Sequence, residues 1–537
     1  MFSDENNGIM SEFIVHWNCR GFMNNFDDFK LFIHDINPAC VCLQETFFSS
    51  KEKEGEEPKI NYCYYRKDKI SESRAHGGVA VLVRSDIPSA RIPLNTDLQV
   101  VAVKLQLHRS VTICSLYLPP NEQIEKRKLE NLLNQLPGEV MILGDYNAHN
   151  TLWYSDHTCA RGRVIESLVS QNDLVILNED RSTHVTFSSS SFSNIDLSVV
   201  SPSLKQDFEW SVYGELLGSD HYPVILETHT PFRSTALRNP KWILERADWE
   251  SFKTLSRVDR RADSFGSLGD MMEYFEEVML GAAGKSIPVT STKPRHIPVP
   301  WWNEECKIAI RNRERALSKF NSEPTDENRI AFFKLKAIAR RVVRKAKRDS
   351  WRQYVNLLNK DSTSKQVWNR IARIQHKGAR DSITILQEGN QSFESHEEIA
   401  DHLGDIFSYH SSERQCTPEF LTLKRMAEKK NLNFQSKTKE PYNEPFSRSE
   451  LITAIHKARD SSPGSDGIHY QMLKHLGEDS LRFLLDVYNY IWQKNEFPEG
   501  WRRAIVIAIP KPGKDHSNGA NYRPIALTSC LCKVMER

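Results

Sequence analysis

Nine short runs rich in Val, Ile and Leu crowd the stretch from Phe13 to Thr230, and most of them stop in polar side chains. Phe13–Trp17, Ala39–Gln44, Gly77–Arg84, Gln99–Leu107, Val111–Leu118, Glu139–Gly144, Leu174–Asn178, Ile195–Val200 and Tyr222–Glu227 are too short for core helices. Their β-branched content is that of strands. Amphipathic stretches such as Asn121–Leu136 lie between them. The combination predicts an α/β or α+β domain of about 220 residues built on two sheets.

The polar ends constrain the chain further. The runs deliver Asn18, then Gln44 and Glu45, then Tyr117, then Asp145, Asn147 and His149, then Asn194 and Asp196, and finally Ser219, Asp220 and His221. One polar strand end is ordinary turn chemistry. Six are a different matter, because strands packed into sheets gather their ends along one edge, where such groups converge on a cleft. Four acids, several amides, a tyrosine and a histidine are the inventory of a phosphoester site organised by a hard cation. Glu45 with an Asp or Asn suits Mg²⁺, which takes oxygen ligands. His and Cys are too few and wrongly spaced for zinc.

The ten cysteines are scattered and the only close pairs, Cys40/Cys42 and Cys530/Cys532, are not spaced as a zinc knuckle or redox pair. Reduced thiols, and with them an intracellular protein, are expected. Residues 1–13 lack an apolar core and do not read as a signal peptide. No run approaches the length of a membrane span. At 537 residues the chain exceeds one hydrophobic core. Its net charge of +2 says nothing about partners, but charge is unevenly spread. From Trp301 to Lys360 there are 16 Lys and Arg against 7 Asp and Glu. There apolar residues recur at three- and four-residue spacing, which predicts basic helices. Arg348 and Arg352 are interleaved with Trp351 and Tyr354. A solvated helix face and a polyanion-binding surface both fit that pattern.

Asn18, "LQET", "YLPP", "GDYNAH", "IDLS" and "SDH", in that order, resemble the endonuclease/exonuclease/phosphatase superfamily. "WNCRG", "GGVAVLVR", "GDYNAHNTLW" and "GSDHYPVIL" are closer to its branch in Jockey-type non-LTR retrotransposons. The resemblance implies a four-layer αββα sandwich over 13–228 with the site at one sheet edge. It implies Glu45 as the main Mg²⁺ ligand (Mn²⁺ being a possible substitute), Asn18 nearby and Asp220 beside the metal. Asp145 would position or deprotonate water, Asn147 would orient water or phosphate, and Tyr117 would contact phosphate. His221 would donate to a phosphate oxygen, oriented by Asp196. His149 is expected to be structural, and His16, His34, His76 and His184 to be surface or satisfied core residues. "TLWYSDHTC" departs from the family's Trp-Gly-Ser by placing Tyr154 after Trp153.

Further along, "PWWNEEC", "DSW", "KARDSSPGSDGIHYQMLKHL", "FPEGWRRAIVIAIPKPGK" and "NYRPIALTSCLCKVMER" look like the region after the endonuclease and the opening of the reverse transcriptase in the same elements. Arg523, and with it Lys511 or Lys514, would meet nucleotide or template there. No Tyr-x-Asp-Asp sequence occurs, so the polymerase part is expected to be incomplete and inactive, ending inside its fingers. The expected organisation is an endonuclease domain at 13–228, a linker at 229–300, a basic helical region at 301–375, a variable connector at 376–447 and a partial reverse transcriptase at 448–537. DNA would be the target and element RNA a partner of the basic region, in the nucleus and with no membrane role. The alternatives are a repair nuclease or phosphatase of the same superfamily, and a decayed remnant that only binds nucleic acid.

Overall fold

A computed structural model of the chain describes residues 12–48, 58, 60–69, 76–228, 241–290, 301–356, 384–389, 391–430 and 444–537. The chain divides into two compact units. Met1–Ala236 with His296–Ile399 form the first, and Leu237–Arg295 with Ala400–Arg537 form the second.

The first unit is built on two six-stranded sheets. One contains β1 (Glu12–Asn18), β2 (Cys40–Gln44), β3 (Tyr62–Lys67), β4 (Val79–Arg84), β13 (Glu209–Val212) and β14 (Val224–Thr228), in the order β13-β14-β1-β2-β4-β3. The other contains β5 (Ser89–Ile92), β6 (Gln99–Gln106), β7 (Ser110–Tyr117), β8 (Val140–Asp145), β9 (Val175–Ile176) and β12 (Asp196–Val200), in the order β5-β6-β7-β8-β12-β9. A short hairpin, β10 (His184–Thr186) with β11 (Ser191–Ser193), stands apart from both. Each large sheet has a single parallel pair at its centre, β1/β2 and β7/β8. Ligands gather at the carboxyl ends of parallel strands in open sheets, and those ends carry the polar groups.

Alternation along the strands makes four layers, as the resemblance implies. Ile14, Cys40, Cys42, Val81 and Val83 face Val101, Val103, Ile113, Met141 and Leu143 between the sheets. Val15, Trp17, Val41, Leu43 and Leu82 point the other way, onto α1 (Phe22–Ile36). That helix turns Phe22, Phe26, Phe29, Phe32 and Ile33 inward at three- and four-residue spacing. Each ring taken out of water contributes about 2–3 kcal/mol. The second sheet is covered in the same way by α2 (Lys126–Leu133) and α3 (Ala160–Gln171), through Leu129, Leu132, Ile165 and Leu168.

Two expected boundaries are corrected. The 229–300 stretch is not a linker throughout, because it contains α4 (Trp249–Leu255) and α5 (Leu268–Ser286). Leu268, Met271, Met272, Phe275, Met279, Ala282 and Ala283 of α5 share one core with Leu451, Ile455, Phe483, Leu484, Val487 and Leu531. The Pro, Ser and Thr that suggested a linker lie mainly in 229–240, outside the described residues. The helical spacing behind them was legible and decides the matter. Nor is the basic region a separate body. Its helices α6 (Glu304–Ser322) and α7 (Asp326–Asn356) belong to the first unit. Leu317, Phe320 and Phe332 share a cluster with Val185, Leu216 and Tyr222. The rest of the basic region and much of the expected connector (357–383, 431–443) lie outside the described residues. β15 (Leu386–Glu388) pairs with β16 (Gln391–Phe393) in the first unit.

In the second unit, β17 (Ile505–Pro510) and β18 (Tyr522–Leu527) form a hairpin. It leaves Ile505, Val506, Ile507, Ile509 and Ile525 exposed. Arg523 is exposed on β18, Lys514 is exposed in the turn, and Lys511 donates through Nζ to the Ala520 carbonyl at 2.8 Å. No helix among the described residues is long and apolar enough to cross a membrane.

Candidate active site

Strand register assembles the site. Asn18 is paired with Gln44 on β2, so Glu45 follows directly beside it. Tyr117 is paired with Asp145, and Asp145 with Asp196 across the β8/β12 ladder. Three chain segments far apart in sequence thus end at one level, and a one-residue slip would turn each side chain to the other face. Gly144 is required in this arrangement, because a Cβ there would lie 1.8 Å from the Leu116 carbonyl oxygen.

Asp145 is 1% exposed and accepts three hydrogen bonds. Asn18 Nδ2 donates to its Oδ2 at 2.9 Å, as does Asn147 Nδ2, and the Asn147 backbone N–H donates to Oδ1 at 2.9 Å. Asn147 adopts φ 47°, which folds its side chain back onto the carboxylate, and it donates also to the Leu118 carbonyl. Burial, with the neighbouring Asp196 charge, pushes Asp145 up to about 7, against the pull of His221 and these donors.

His221 Nδ1 lies 2.9 and 3.0 Å from the two oxygens of Asp196, and Trp17 Nε1 donates to the His221 carbonyl at 3.0 Å. Burial opposes a charge on this imidazole, but Asp196, with Asp145 and Asp220, outweighs it and raises His221 to about 10. Asp196 is lowered in return, its burial being overcome by His221. The imidazolium and its orienting carboxylate are a matched pair at neutral pH. Donor atoms of Asp145, Asp196 and His221 all lie within 4.8 Å of one another.

Tyr117 OH donates to Glu45 Oε1 at 2.6 Å, and burial with the Glu45 charge pushes that phenol upward, so it stays a donor. Glu45 sits at φ 49° and is half-buried. Asp220 is paired with the exposed Arg20. Ser219 Oγ donates to the Asn18 carbonyl at 2.8 Å and ties that loop to β1. The oxygens of Asn18, Glu45, Asp145 and Asp220 are a hard donor set, which fits a divalent cation of the Mg²⁺ or Mn²⁺ type. The nearby Cys19 supplies no soft ligand, because burial holds its thiol protonated, donating to the Gln44 carbonyl at 3.2 Å.

All eight residues expected at the centre of the nuclease site meet at this edge. Arg348 and Arg352 lie instead on the exposed face of α7, and Lys511, Lys514 and Arg523 belong to the second unit. Two expectations need correction or completion. His184 is neither surface nor plain core. It bridges His221 across a strand contact with ring centroids 4.5 Å apart, and burial beside His221 lowers it to about 4. Arg20 was not singled out, because an exposed arginine two residues past a strand has no local signature. His16 does sit in the core, with Nε2 2.8 Å from Ser198 Oγ.

His149 stacks on His157 at 4.8 Å, and its backbone N–H donates to Cys159 Sγ. Tyr154 has φ 63° and is 54% exposed. Left-handed backbone costs a non-glycine residue about 1–2 kcal/mol, which accounts for glycine in the family pattern. Tyr154→Gly is therefore expected to stabilise the domain by about 0.5–1 kcal/mol, after the entropy of the unfolded glycine is subtracted. A rise in the thermal unfolding midpoint checks this, and a fall would mean that contacts of the tyrosine ring outweigh the strain.

Residues 111–225 match the sequence family described as Endonuclease-reverse transcriptase. Over 97% of its length the chain is 24% identical to the RNA-directed DNA polymerase from mobile element jockey of Drosophila melanogaster. It is 24% identical over 98% of its length to the probable RNA-directed DNA polymerase from transposon X-element of the same species. It spans 57% and 58% of those two relatives. Among solved structures, the endonuclease domain of TRAS1, a telomere-specific non-LTR retrotransposon, is 19% identical with a TM-score of 0.36, covering 41% of this chain and 98% of that one. AP endonuclease LMAP from Leishmania major is 14% identical with a TM-score of 0.35, covering 41% and 88%.

Proposed function

We infer that this chain, which carries an endonuclease/exonuclease/phosphatase domain similar to those of non-LTR retrotransposons, hydrolyses phosphodiester bonds in DNA. It nicks one strand and leaves a 3′-hydroxyl able to prime reverse transcription by the whole element protein. The observation that carries this reading is the Asp145–Asp196–His221 cluster, with Asn147 folded onto Asp145.

Asp145, raised toward neutrality, is matched to accept a proton from water near its working pH. Asn147 holds that carboxylate and orients the water or the phosphate. His221, kept charged by Asp196, donates to the phosphate oxygen on which negative charge grows. Tyr117 holds Glu45 and contacts the phosphate. Glu45, Asn18 and Asp220 would hold Mg²⁺, which neutralises charge on the phosphate when bound. Arg20 would exchange Asp220 for phosphate, since an exposed ion pair contributes about 0–1 kcal/mol.

A DNA substrate implies work in the nucleus. The element's own RNA is the alternative partner for the basic region. A lipid or sugar phosphatase is the weaker alternative, because the helices packed beside the site are strongly basic. The test is supercoiled plasmid incubated with Mg²⁺ or with EDTA. Conversion to the open circle only with the metal supports the nuclease. Salt-sensitive binding with no nicking would mark a remnant that merely binds nucleic acid.

A further inference from the structure

Helix α7 is fastened along the edge of the catalytic site. Arg329 Nη1 donates to the Phe187 carbonyl at 2.7 Å, and the Phe187 ring stacks on Phe332 at 5.6 Å. Phe187 follows β10, whose first residue His184 lies against His221. Two turns on, Lys336 Nζ donates to the Gly218 carbonyl at 3.0 Å, two residues before Asp220. Three turns further, Lys347 pairs with Asp27 of α1. Its partner helix α6 adds Arg313, whose guanidinium bonds Asp28 at 2.8 Å and Glu215 at 3.4 Å. The inward stripe is Asn328, Phe332, Ala339 and Ala346, at helical spacing.

What remains outside is cationic. The helix carries ten Lys and Arg against three Asp and Glu. Three of its basic residues, Arg329, Lys336 and Lys347, are used by the anchors just described. Arg340, Arg341, Arg344, Lys345, Arg348 and Arg352 are exposed and have no acidic partner among the described residues. A groove follows this face past Phe333, Lys336, Arg340, Arg344 and Arg348. From Lys336 to Arg352 the axis covers about 24 Å, the length of about seven base pairs of B-DNA.

We propose that α7 is a rail for the duplex flanking the cleaved bond, so that the Trp301–Asn356 region is part of the nuclease's DNA-binding surface. This rests on the nuclease reading above and deepens it. Duplex DNA is favoured over RNA because the cations lie in a rigid line that starts at the catalytic loop. A line held against α1, the β10/β11 hairpin and the Gly218 loop suits a stiff polyanion that enters that loop.

The test combines Arg340→Ala, Arg341→Ala, Arg344→Ala and Arg348→Ala in the full chain. On a duplex longer than the rail, KM for nicking is expected to rise about 10- to 100-fold near 0.15 M salt, with kcat within about twofold. The slope of log K against log salt should flatten by about 3.6 for four lost phosphate contacts, about 0.9 for each. Shortening the duplex by about seven base pairs on the α7 side should raise KM for the parent and leave the variant unaffected. The matching Arg→Lys combination should restore most of the loss, which separates charge from misfolding. An unchanged KM and slope would overturn the rail. So would loss of single-stranded RNA binding with duplex DNA binding intact, since that assigns α7 to RNA. Duplex binding by fluorescence anisotropy needs no cleavage. A parent that binds through α7 but never nicks would therefore support the rail and refute only the nuclease.

Discussion

Asp145→Ala is expected to fold as the parent does and to nick plasmid about 10³-fold more slowly, and His221→Ala to lose about as much. In the proposed mechanism each removes a group that acts in the transition state: Asp145 where the water must lose its proton, His221 where the phosphate gains charge. The two act on one displacement, so the double variant should lose little more than either single one. Folding should survive, because the strands that carry them are held by the inter-sheet core and the ladder. The Asp145 change leaves the donors of Asn18, which is 1% exposed, and of half-buried Asn147 without their acceptor. A buried group left so costs about 1–3 kcal/mol, so the unfolding midpoint should fall while the fold is kept. Circular dichroism and gel assays of nicked circles measure both halves. Near-parental nicking by either variant would refute the assigned roles.

Asp196→Asn should be nearly as damaging, and its signature is a pH profile. In the parent, Asp196 outweighs burial and holds His221 charged up to about 10. An amide leaves burial opposed only by the charges of Asp145 and Asp220, so the imidazole is expected to become neutral in the physiological range and its donated proton to be lost. The expected fall is about 10²- to 10⁴-fold at pH 8, with the alkaline limb of the rate profile moving from near 10 to below 7. The window in which Asp145 is ionised while His221 is still protonated then narrows sharply, so no pH restores full rate.

Stability follows the same linkage. A histidine raised from 6.5 contributes stability that is fully present below 6.5 and lost as pH rises through about 10. An aspartate lowered from 3.8 contributes above 3.8 and loses it as pH falls through its depressed value. The difference in unfolding midpoint between parent and variant should therefore be widest between about pH 4 and 6.5 and shrink toward 10. A uniform rate loss with an unmoved alkaline limb would mean that Asp196 only fills space.

Much of this site was legible because its residues stand where regular structure stops. Asn18, Tyr117 and Asp145 close strands, Glu45 follows one, Asp196 opens β12 and His221 precedes β14, and a strand end is visible as the first or last polar residue beside an apolar run. His184 and Arg20 were not legible in this way. His184 matters through the cross-chain bridge to His221, and Arg20 through a residue 200 positions away. Neither relation leaves a mark within a few residues of its own position. The helices of 241–290 were a different failure. The apolar spacing of α5 was present, but the Pro- and Ser-rich composition before it led to the expectation of a linker.

The sequence by itself determined that there are strands, which of their faces are apolar, which polar groups end them, and that Trp301–Asn356 carries basic helices. These follow from short-range periodicity and from the free energy of burying apolar surface, both of which a linear string records. Only the tertiary structure decided which strand ends share a level, how far Asp145 and His221 are pushed from their ordinary values, and that α7 is bound to the edge of the candidate site. Register, burial and docking depend on contacts between residues tens to hundreds of positions apart. Those contacts exist only once both sheets have closed on their common core.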